Sequence, residues 1–386
     1  MAIPPPETFD AEAMAELIAE WSAAESPSFD AAAVNRMMDL AERDLKTLGA
    51  MIERITVGPE TGDVLKARMP WGDHDGDDVP GILVLGHLDT VHLAGTTAGE
   101  LPIRRDGDRL YGPGVLDMKG GLVLAIHALK AAIAERGELN LPVTFLVIPD
   151  EEIGSPMTRA VIEREAKASK VVLVPEPGRH HAFVTGRHAV LRFKLHVYGK
   201  PAHAGRPGGT GRSAISAMAR LIQEVEGFSD HDKEISFRVG TVEGGTFVNV
   251  VATECHAEVL CVAPTEEAFA DVQRRMAALA SPDPDVRLEV EAGPVRPLFQ
   301  ADEGTRELYG VAERIAREVG LDLGMGQFGG GSDGNFTGAL GIPTLDGLGP
   351  TGDGVHTKQE YIEVSSLVPR ARLLAGLMTA LAERNR

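Results

Sequence analysis

The chain is poor in cysteine, which limits how it can be held together. Only Cys255 and Cys261 occur among its 386 residues. Two cysteines so close in sequence do not form the framework of a small disulfide-stabilised protein. We therefore expect reduced thiols and a fold that depends on its hydrophobic core.

Long apolar runs and positive charge are also scarce. The chain has no apolar stretch of about 18 residues, the length that indicates a membrane-spanning helix, and residues 1–6 do not have the pattern of a signal peptide. Its 57 acidic and 38 basic residues give a formal net charge of −19, which argues against a general basic surface for nucleic acid. We expect a soluble cytoplasmic protein that binds neither membranes nor nucleic acid.

Histidine and aspartate follow an apolar, strand-like segment in the first half of the chain. Residues 82–85 are Ile-Leu-Val-Leu, and His87 and Asp89 come directly after them. A glycine-rich stretch further on contains Asp117. Ligands of open α/β sheets bind beyond the carboxyl ends of the strands, so these side chains are candidates for a metal site.

Later segments end in residues of the same chemical types. The additional candidates are Glu151 and Glu152 after the apolar run 143–148, Glu176 after the run 171–174, and His356 near the end of the chain. Histidine and carboxylate ligands without cysteine suit zinc, cobalt or manganese better than calcium, which prefers oxygen alone. Two metal ions that share one bridging carboxylate would need the fewest ligand residues.

Each candidate also has an ordinary explanation when it is considered alone. His87 and Asp89 are compatible with a turn after a strand, and Glu151-Glu152 with a solvated acidic loop, because surface carboxylates are common. His356 alone carries almost no information. Their joint occurrence at the ends of apolar segments favours the metal site.

These residues lie in motifs that follow one another over about residues 80 to 365. In chain order they are His87-x-Asp89-Thr90, Gly112-Pro113-Gly114-x-x-Asp117-x-Lys119-Gly120-Gly121, Glu151-Glu152-x-Gly154-Ser155, Glu176-Pro177, Gly199-Lys200-x-Ala202-His203-Ala204-Gly205, Gly329-Gly330-Gly331-Ser332-Asp333 and Gly354-x-His356-Thr357. The set resembles the dinuclear zinc exopeptidases and deacylases, a family that includes carboxypeptidases of the G type, acetylornithine deacetylase and succinyl-diaminopimelate desuccinylase.

The resemblance implies a centre of two divalent metal ions, zinc first, with cobalt or manganese as alternatives. It assigns His87 and Glu176 to one ion, Glu152 and His356 to the other, and Asp117 to both as a bridge. In the family the peptide bond after the bridging aspartate is often cis, which here is Asp117-Met118.

The resemblance also implies three catalytic roles. Asp89 would orient His87, because a metal-bound imidazole commonly gives its other N–H to a carboxylate. Glu151 would act as the general base that accepts a proton from water and passes it to the leaving amine. His203 would help to stabilise the oxyanion, although its segment is also compatible with a simple turn.

Substrate contacts are implied for four further residues. Within the family, the residues of these motifs are most similar to those of the carboxypeptidase G group. This similarity implies removal of a C-terminal acidic residue from an acyl or peptidyl group. Arg296 lies where relatives hold the substrate α-carboxylate, Asn249 resembles a substrate-contacting lid residue, and Gly330 and Gly331 favour close backbone approach. The ordinary alternatives are a surface arginine, a strand-end residue and a flexible loop.

One departure from the family pattern affects the substrate prediction. Relatives often carry an arginine in the lid strand before a proline, where this chain has Val262 followed by Ala263-Pro264. A missing arginine implies a more apolar pocket or an altered substrate.

The order of segments predicts an α/β fold with an insertion. At 386 residues the chain exceeds the roughly 250 to 300 that one core usually serves. We expect a catalytic domain of residues 1–183 and 293–386, with a mixed sheet covered by helices. Residues 184–292 are predicted to form a smaller α+β domain, because strand-like alternation at 190–197 and 255–262 surrounds helix-like periodicity. The resemblance implies that this is the family's lid and dimerisation domain.

The sequence and its family resemblance therefore predict a metal-dependent amidohydrolase of the carboxypeptidase type that forms a homodimer through the lid. The substrate would be a small N-acyl amino acid or short peptide with a C-terminal glutamate or related acidic residue. One alternative is a deacetylase or desuccinylase of an acyl amino acid with the same catalytic residues. Another is a non-catalytic metal-containing binding protein with the same fold.

Overall fold

A computed structural model describes residues 3–71, 79–205 and 209–383. Its helices are α1 (Ala11–Ala23), α2 (Ala31–Thr47), α3 (Lys119–Arg136), α4 (Arg159–Lys167), α5 (Ala214–Glu226), α6 (Glu266–Ala277), α7 (Glu303–Glu318), α8 (Gly334–Ala339) and α9 (Leu367–Glu383). Short 3-10 turns lie at Pro6–Thr8, Glu151–Ile153, His231–Lys233 and Val364–Ser366.

The strands alternate with these helices. They are β1 (Met51–Ile55), β2 (Val64–Arg68), β3 (Gly81–His87), β4 (Arg104–Asp106), β5 (Arg109–Tyr111), β6 (Val143–Ile148), β7 (Ser169–Leu173), β8 (Ala182–Arg187), β9 (Ala189–Tyr198), β10 (Ser236–Gly244), β11 (Glu254–Ala263), β12 (Arg287–Arg296), β13 (Gly324–Phe328), β14 (Thr344–Leu345), β15 (Gly352–Asp353) and β16 (Tyr361–Glu363).

The main sheet has the strand order β1-β2-β6-β3-β7-β14. Strands β6, β3, β7 and β14 run parallel to one another, whereas β2 pairs antiparallel with β6 and β1 pairs antiparallel with β2. The predicted mixed α/β fold is confirmed. Because β6, β3 and β7 are adjacent and parallel, the loops that follow them leave the sheet at the same edge.

The central strands are buried on both faces. Every residue of β3 and β6 is buried, as expected of parallel strands that are covered by helices on each side. Ile82 and Val84 belong to the core beneath α3 and α9, whereas Leu83 and Leu85 face a second cluster that includes Phe336 of α8. Side chains alternate between the faces of a strand, so one apolar run serves both cores.

Residues 189–296 contain a separate antiparallel sheet with the order β10-β11-β9-β12. One face of this sheet packs against α5 and α6 around a core that contains Cys255 and Cys261. Both cysteines are free, as predicted, and burial raises the pKa of the Cys261 thiol to about 12. The thiols therefore serve as small apolar core side chains.

Contacts between Cα atoms divide the chain into two units. The first contains Met1–Gly186, Phe299–Gln327 and Ser332–Arg386, and the second contains Arg187–Leu298 and Phe328–Gly331. Compared with the predicted range 184–292, the second unit begins and ends a few residues later, and it also includes part of the glycine-rich segment. Its role as a lid and dimerisation domain stays a prediction.

Among the helices of the described ranges, none is both long enough and apolar enough to cross a membrane.

Gly121 provides a test of how closely the first turn of α3 approaches the loop after β7. A Cβ atom at this position would overlap the carbonyl oxygen of Pro175, the residue before Glu176. We expect Gly121→Ala to lower the free energy of unfolding by about 1–3 kcal/mol through overpacking. Chemical denaturation of the metal-free protein measures this change.

Gly310 in α7 is the matched control for that substitution. A Cβ atom there would have no atom within 4 Å, and alanine is the better helix former. Gly310→Ala should therefore raise the free energy of unfolding by about 0.4–1 kcal/mol. Equal effects of the two substitutions would contradict the close approach at Gly121.

Candidate metal centre

Three adjacent parallel strands deliver the candidate ligands to one edge of the main sheet. β3 ends at His87. The loop after β6 forms the 3-10 turn that carries Glu151 and Glu152, and the loop after β7 carries Glu176. His87, Glu151 and Glu176 are all buried. The parallel register of β6, β3 and β7 thus brings together residues that are far apart in sequence.

Asp117 lies between two histidines in the segment that leads into α3. Its Oδ1 atom is 3.1 Å from Nε2 of His87, and its Oδ2 atom is 3.3 Å from Nε2 of His356. The Asp117-Met118 peptide bond is cis, as the family resemblance implies. The two carboxylate oxygens therefore face different imidazoles, which is the arrangement that a bridging ligand needs.

Two groups of potential metal ligands share this aspartate. One contains His87, Asp117 and Glu176, and the other contains Asp117, Glu152 and His356. Within each group the ligand atoms lie within 4.8 Å of one another. Buried carboxylates so close together repel one another unless cations or protons lie among them. The donor set therefore fits two divalent ions of the zinc, cobalt or manganese type.

Without metal ions, protons compensate this negative charge. Burial and the nearby Asp117 raise the pKa of Glu152 to about 7. Hydrogen bonds to Asp117 and Glu152 raise the pKa of His356 to about 11. Burial lowers the pKa of His87, but its hydrogen bonds to Asp117 and Asp89 have the larger combined effect. The pKa of His87 therefore lies well above its usual value. Both imidazoles are therefore protonated at neutral pH before metal binds.

Asp89 connects the histidine ligand with both glutamates. Its carboxylate accepts hydrogen bonds from the backbone N–H groups of Glu151 and Glu152, at 3.1 and 3.2 Å. Nδ1 of His87 is 3.0 Å from the carbonyl oxygen of Asp89 and 3.4 Å from its Oδ1 atom. The residue thus touches His87 mainly through its backbone, and its carboxylate supports the turn that carries Glu151 and Glu152.

Ser28 is a contact of this centre that the sequence analysis did not identify. Its hydroxyl donates a hydrogen bond to Oδ2 of Asp89 at 2.7 Å, and its backbone N–H donates to the carbonyl of Thr90. The serine is buried, and it lies 61 residues before its partner. No local motif marks such a distant serine, so only the fold reveals this contact.

Glu360 holds the segment that carries Asp117, and it was also missed. One of its oxygens accepts the N–H groups of Leu116 and Asp117 at 2.9 and 3.0 Å, and the other accepts that of Gly114 at 3.1 Å. His92 lies 2.8 Å from the second oxygen. The carboxylate is almost fully buried. Its position four residues after His356 is the signal that could have indicated a role.

Lys119 lies below the same segment and is fully buried. Its Nζ atom donates to the carbonyl oxygens of Trp21 and Ala24, at 3.1 and 2.9 Å. Burial lowers the pKa of its ammonium group to about 7, although the charges of Glu360 and Glu25 oppose that change. The motif lysine therefore connects the C-terminal end of α1 with the Asp117 segment.

His203 and Asn249 lie side by side on the second unit. The backbone N–H of Ala204 donates to the carbonyl of Asn249 at 3.0 Å, and His203 forms an isolated bridge with Val250. Both predicted residues are exposed. Gly205 donates its N–H to Nδ1 of His203 at 3.1 Å, so the ring proton of a neutral imidazole resides on Nε2.

Arg296 and the glycine-rich segment also meet within the second unit. The arginine is buried, so its interpretation as a surface charge is wrong. Its side chain packs against Gly331, where a Cβ atom would be 2.5 Å from Cδ of Arg296. Arg187 donates to the carbonyl oxygens of Gly330 and Gly331 at 3.3 and 3.4 Å. Two arginines therefore line this segment.

Comparison with protein families identifies one family along most of the chain. The sequence model for peptidase family M20/M25/M40 matches residues 83–380. That range includes every predicted metal ligand, from His87 to His356.

Individual relatives extend the comparison over nearly the full length. Carboxypeptidase G2 of Pseudomonas sp. (strain RS-16) is 30% identical over 368 residues, which cover 92% of this chain and 86% of that protein. Succinyl-diaminopimelate desuccinylase of Thioalkalivibrio sulfidiphilus is 28% identical, with 79% and 85% covered. The crystal structure of a tripeptidase from Staphylococcus aureus has a TM-score of 0.73 at 20% identity, with 97% of this chain and 100% of that chain covered. This structural similarity supports the fold.

Metal binding should release protons, because both histidines must lose a proton to become ligands. With the pKa of His356 near 11 and that of His87 well above its usual value, loading the metal-free protein with zinc at pH 7 should release about two protons or more. Apparent affinity should rise with pH as competition by protons declines. Calorimetry in buffers of different ionisation enthalpy measures the release.

The His356→Asn variant should release about one proton fewer than the wild type. Zinc binding without proton release would contradict the prediction.

Glu360 should control metal affinity through the Asp117 segment. Glu360→Ala leaves three backbone N–H groups without their acceptor, so we expect metal affinity to fall about 10- to 100-fold. Visible absorption of the cobalt-loaded protein reports both affinity and coordination. Glu100→Ala, which removes an exposed carboxylate paired with Lys358, is the control that should bind cobalt normally. A Glu360→Ala variant with the wild-type spectrum and affinity would exclude this positioning role.

Proposed function

The chain belongs to peptidase family M20/M25/M40, and from that premise we propose that it is a dinuclear metal-dependent amidohydrolase. It would cleave the amide bond of an N-acyl or peptidyl amino acid. The observation that carries the proposal is the pair of ligand groups that meet at Asp117. A cluster of largely buried carboxylates with one buried and one exposed histidine is suited to metal-assisted hydrolysis, because the exposed side leaves room for a substrate.

The proposed ligands are divided between two ions. His87 and Glu176 would hold one, Glu152 and His356 would hold the other, and Asp117 would contact both. When bound, two divalent ions make water acidic enough to act as a nucleophile at neutral pH, and they polarise a carbonyl group. Zinc is the first candidate, and cobalt or manganese are alternatives, because one donor set of this kind accepts several first-row ions.

Glu151 is proposed as the general base. It is buried beside the ligands, with Oε2 3.9 Å from Nε2 of His87, yet it belongs to neither ligand group. A carboxylate that is not bound to metal keeps the basicity needed to take a proton from water and return it to the leaving amine. Asp89 supports this role because it holds the backbone N–H of Glu151.

His203 is proposed to stabilise the oxyanion that forms when the amide is attacked. Its Nδ1 atom accepts a hydrogen bond from Gly205, which leaves an N–H donor at Nε2. The ring is exposed, so it is accessible to a substrate. A preformed donor of this kind contributes most when charge develops on the carbonyl oxygen.

We propose a small substrate with a C-terminal glutamate or related acidic residue. The similarity to carboxypeptidase G2 supports a carboxypeptidase. The buried Arg296 beside Gly331 supplies a cation suited to a substrate carboxylate. Asn249 would contribute an amide to the same substrate, and Gly330 and Gly331 would allow close backbone approach. Neither nucleic acid nor a membrane is part of this proposal, and its expected location is the cytoplasm.

A deacetylase or desuccinylase activity is the second candidate. The similarity to succinyl-diaminopimelate desuccinylase favours it, and Val262 replaces the arginine that relatives often have in the lid strand. The same catalytic residues would serve both activities. A non-catalytic binding protein is disfavoured, because the chain contains the proposed base together with all five proposed ligands.

We further propose a homodimer that forms through the second unit. Phe247 and Val248 of that unit are 74% and 100% exposed, which is unfavourable for apolar side chains in water and suggests a covered surface. Analytical ultracentrifugation of the purified protein tests this proposal, and a mass of one chain at micromolar concentration would contradict it.

The substrate class is tested by assaying protein purified without chelator, together with its metal content. Acyl-glutamate, acetyl-ornithine and succinyl-diaminopimelate are the three substrates. We expect about two metal ions per chain and release of glutamate. Preferential release of acetate or succinate would instead establish the second candidate. Fewer than one ion per chain, with no turnover after zinc, cobalt or manganese is added, would contradict the catalytic proposal.

Glu151→Gln distinguishes the base from the metal ligands in the same assay. The variant should retain its metal ions and lose about 10²- to 10⁴-fold in kcat. Glu16→Gln, at an exposed position of α1, is the control and should retain full activity. Unchanged turnover in Glu151→Gln would exclude the proposed base.

A further inference from the structure

A row of histidines and glutamates crosses the second sheet, outside the proposed catalytic centre. His256 of β11 is directly opposite His196 of β9. The row continues on each side, with Glu243 of β10 opposite His256 and Glu289 of β12 opposite His196. Directly opposed residues of neighbouring strands point to the same face of a sheet. The cysteines at 255 and 261 belong to the opposite, buried face, so this row lies on the face away from α5 and α6.

The two imidazoles meet edge to edge. Their Nδ1 atoms are 2.9 Å apart, and the ring centroids are 5.0 Å apart with an interplanar angle of 66°. The side chains of His196 and His256 are 24% and 44% exposed. Both rings are therefore partly buried against the sheet, but a solute can still reach them.

A carboxylate faces the other nitrogen of each ring. Oε2 of Glu291 is 3.6 Å from Nε2 of His196, and Oε2 of Glu254 is 3.7 Å from Nε2 of His256. Both distances exceed that of a direct hydrogen bond, but the nearby negative charge favours the tautomer that carries its proton on Nε2, which leaves the Nδ1 lone pair available. When both rings adopt this tautomer, two lone pairs face each other and require a cation between them.

We propose that His196 and His256 form a binding site for a transition-metal dication, with both Nδ1 atoms as ligands. Metal-to-imidazole bonds are about 2.0–2.1 Å long, so two such ligands at a right angle are about 2.9 Å apart, whereas a tetrahedral angle separates them by about 3.3 Å. The observed 2.9 Å matches the right angle. Copper(II) and nickel(II) prefer that geometry, and they are the ions that this site should favour.

The neighbouring acids give the site a favourable charge. Glu254 and Glu291 lie near the two Nε2 atoms. Glu243 adds negative charge along the same row, whereas Glu289 is paired with Arg287. Remaining coordination positions would be filled by water or by a glutamate oxygen after side-chain rotation. The alternative state has no metal and one protonated Nδ1 atom that donates a hydrogen bond to the other. Metal binding and this direct hydrogen bond are mutually exclusive, so they can be distinguished by experiment.

Copper(II) titration of the zinc-loaded enzyme tests the site directly. Electron paramagnetic resonance should detect one copper ion per chain with coupling to two imidazole nitrogens. His256→Asn and His196→Asn should each lower copper affinity at least tenfold and remove the two-nitrogen signature. His231→Asn, which changes an exposed histidine of the same unit, should bind copper as the wild type does. Thermal denaturation of each variant verifies that it is folded.

Hydrolytic activity and released zinc are measured in parallel, so that binding at the sheet is distinguished from replacement of catalytic ions. We expect one equivalent of copper to bind with no zinc released and no loss of activity. Copper affinity that is unchanged in both His196→Asn and His256→Asn would overturn the proposal. An equal loss in His231→Asn, or stoichiometric release of zinc, would do the same. None of these results depends on which substrate the enzyme hydrolyses.

Discussion

The crowding of negative charge at the edge of the main sheet is the constraint on which the proposed site depends. Asp117, Glu151, Glu152 and Glu176 are all largely removed from water, and ionised carboxylates are costly to bury unless they are compensated. Protons on His87 and His356 provide part of that compensation in the metal-free chain. Divalent ions provide more charge at the same positions, so assembly of the centre and metal binding are thermodynamically linked.

Hydrogen bonds to the backbone maintain this crowded arrangement. Asp89 holds the turn with Glu151 and Glu152, and Glu360 holds the segment with Asp117. Both carboxylates accept hydrogen bonds from backbone N–H groups. Two residues that are not metal ligands therefore position the ligands through charge-assisted hydrogen bonds. Ser28 adds a contact from the N-terminal part of the chain. Binding residues that move independently would have to be ordered by the metal itself, whereas this network orders them in advance.

The sequence predicts the α/β fold and the candidate ligands because their signals are local. An apolar run followed by a polar ligand, as at 82–85 and His87, is visible without knowledge of tertiary structure. Glu360, Ser28 and Lys119 carry no such signal, since their partners lie 243 to 246, 61 and 95 to 98 residues away. The burial of Arg296 could not be predicted from the sequence either, because an arginine at the end of a strand is usually solvated. Long-range pairing therefore limits what the sequence alone can predict about the site.

The same limit applies to the histidine row of the second sheet, where strand register creates the juxtaposition. Alternation along β9 and β11 predicts that His196 and His256 face away from the core, but it does not predict that they are opposite each other. A shift of one residue in either strand would turn its histidine towards the buried face. The core residues Leu195, Val197, Cys255 and Ala257 oppose such a shift, because it would expose them. The apolar face of the sheet thus determines the geometry of the polar face, and the distance between the two imidazoles follows from core packing.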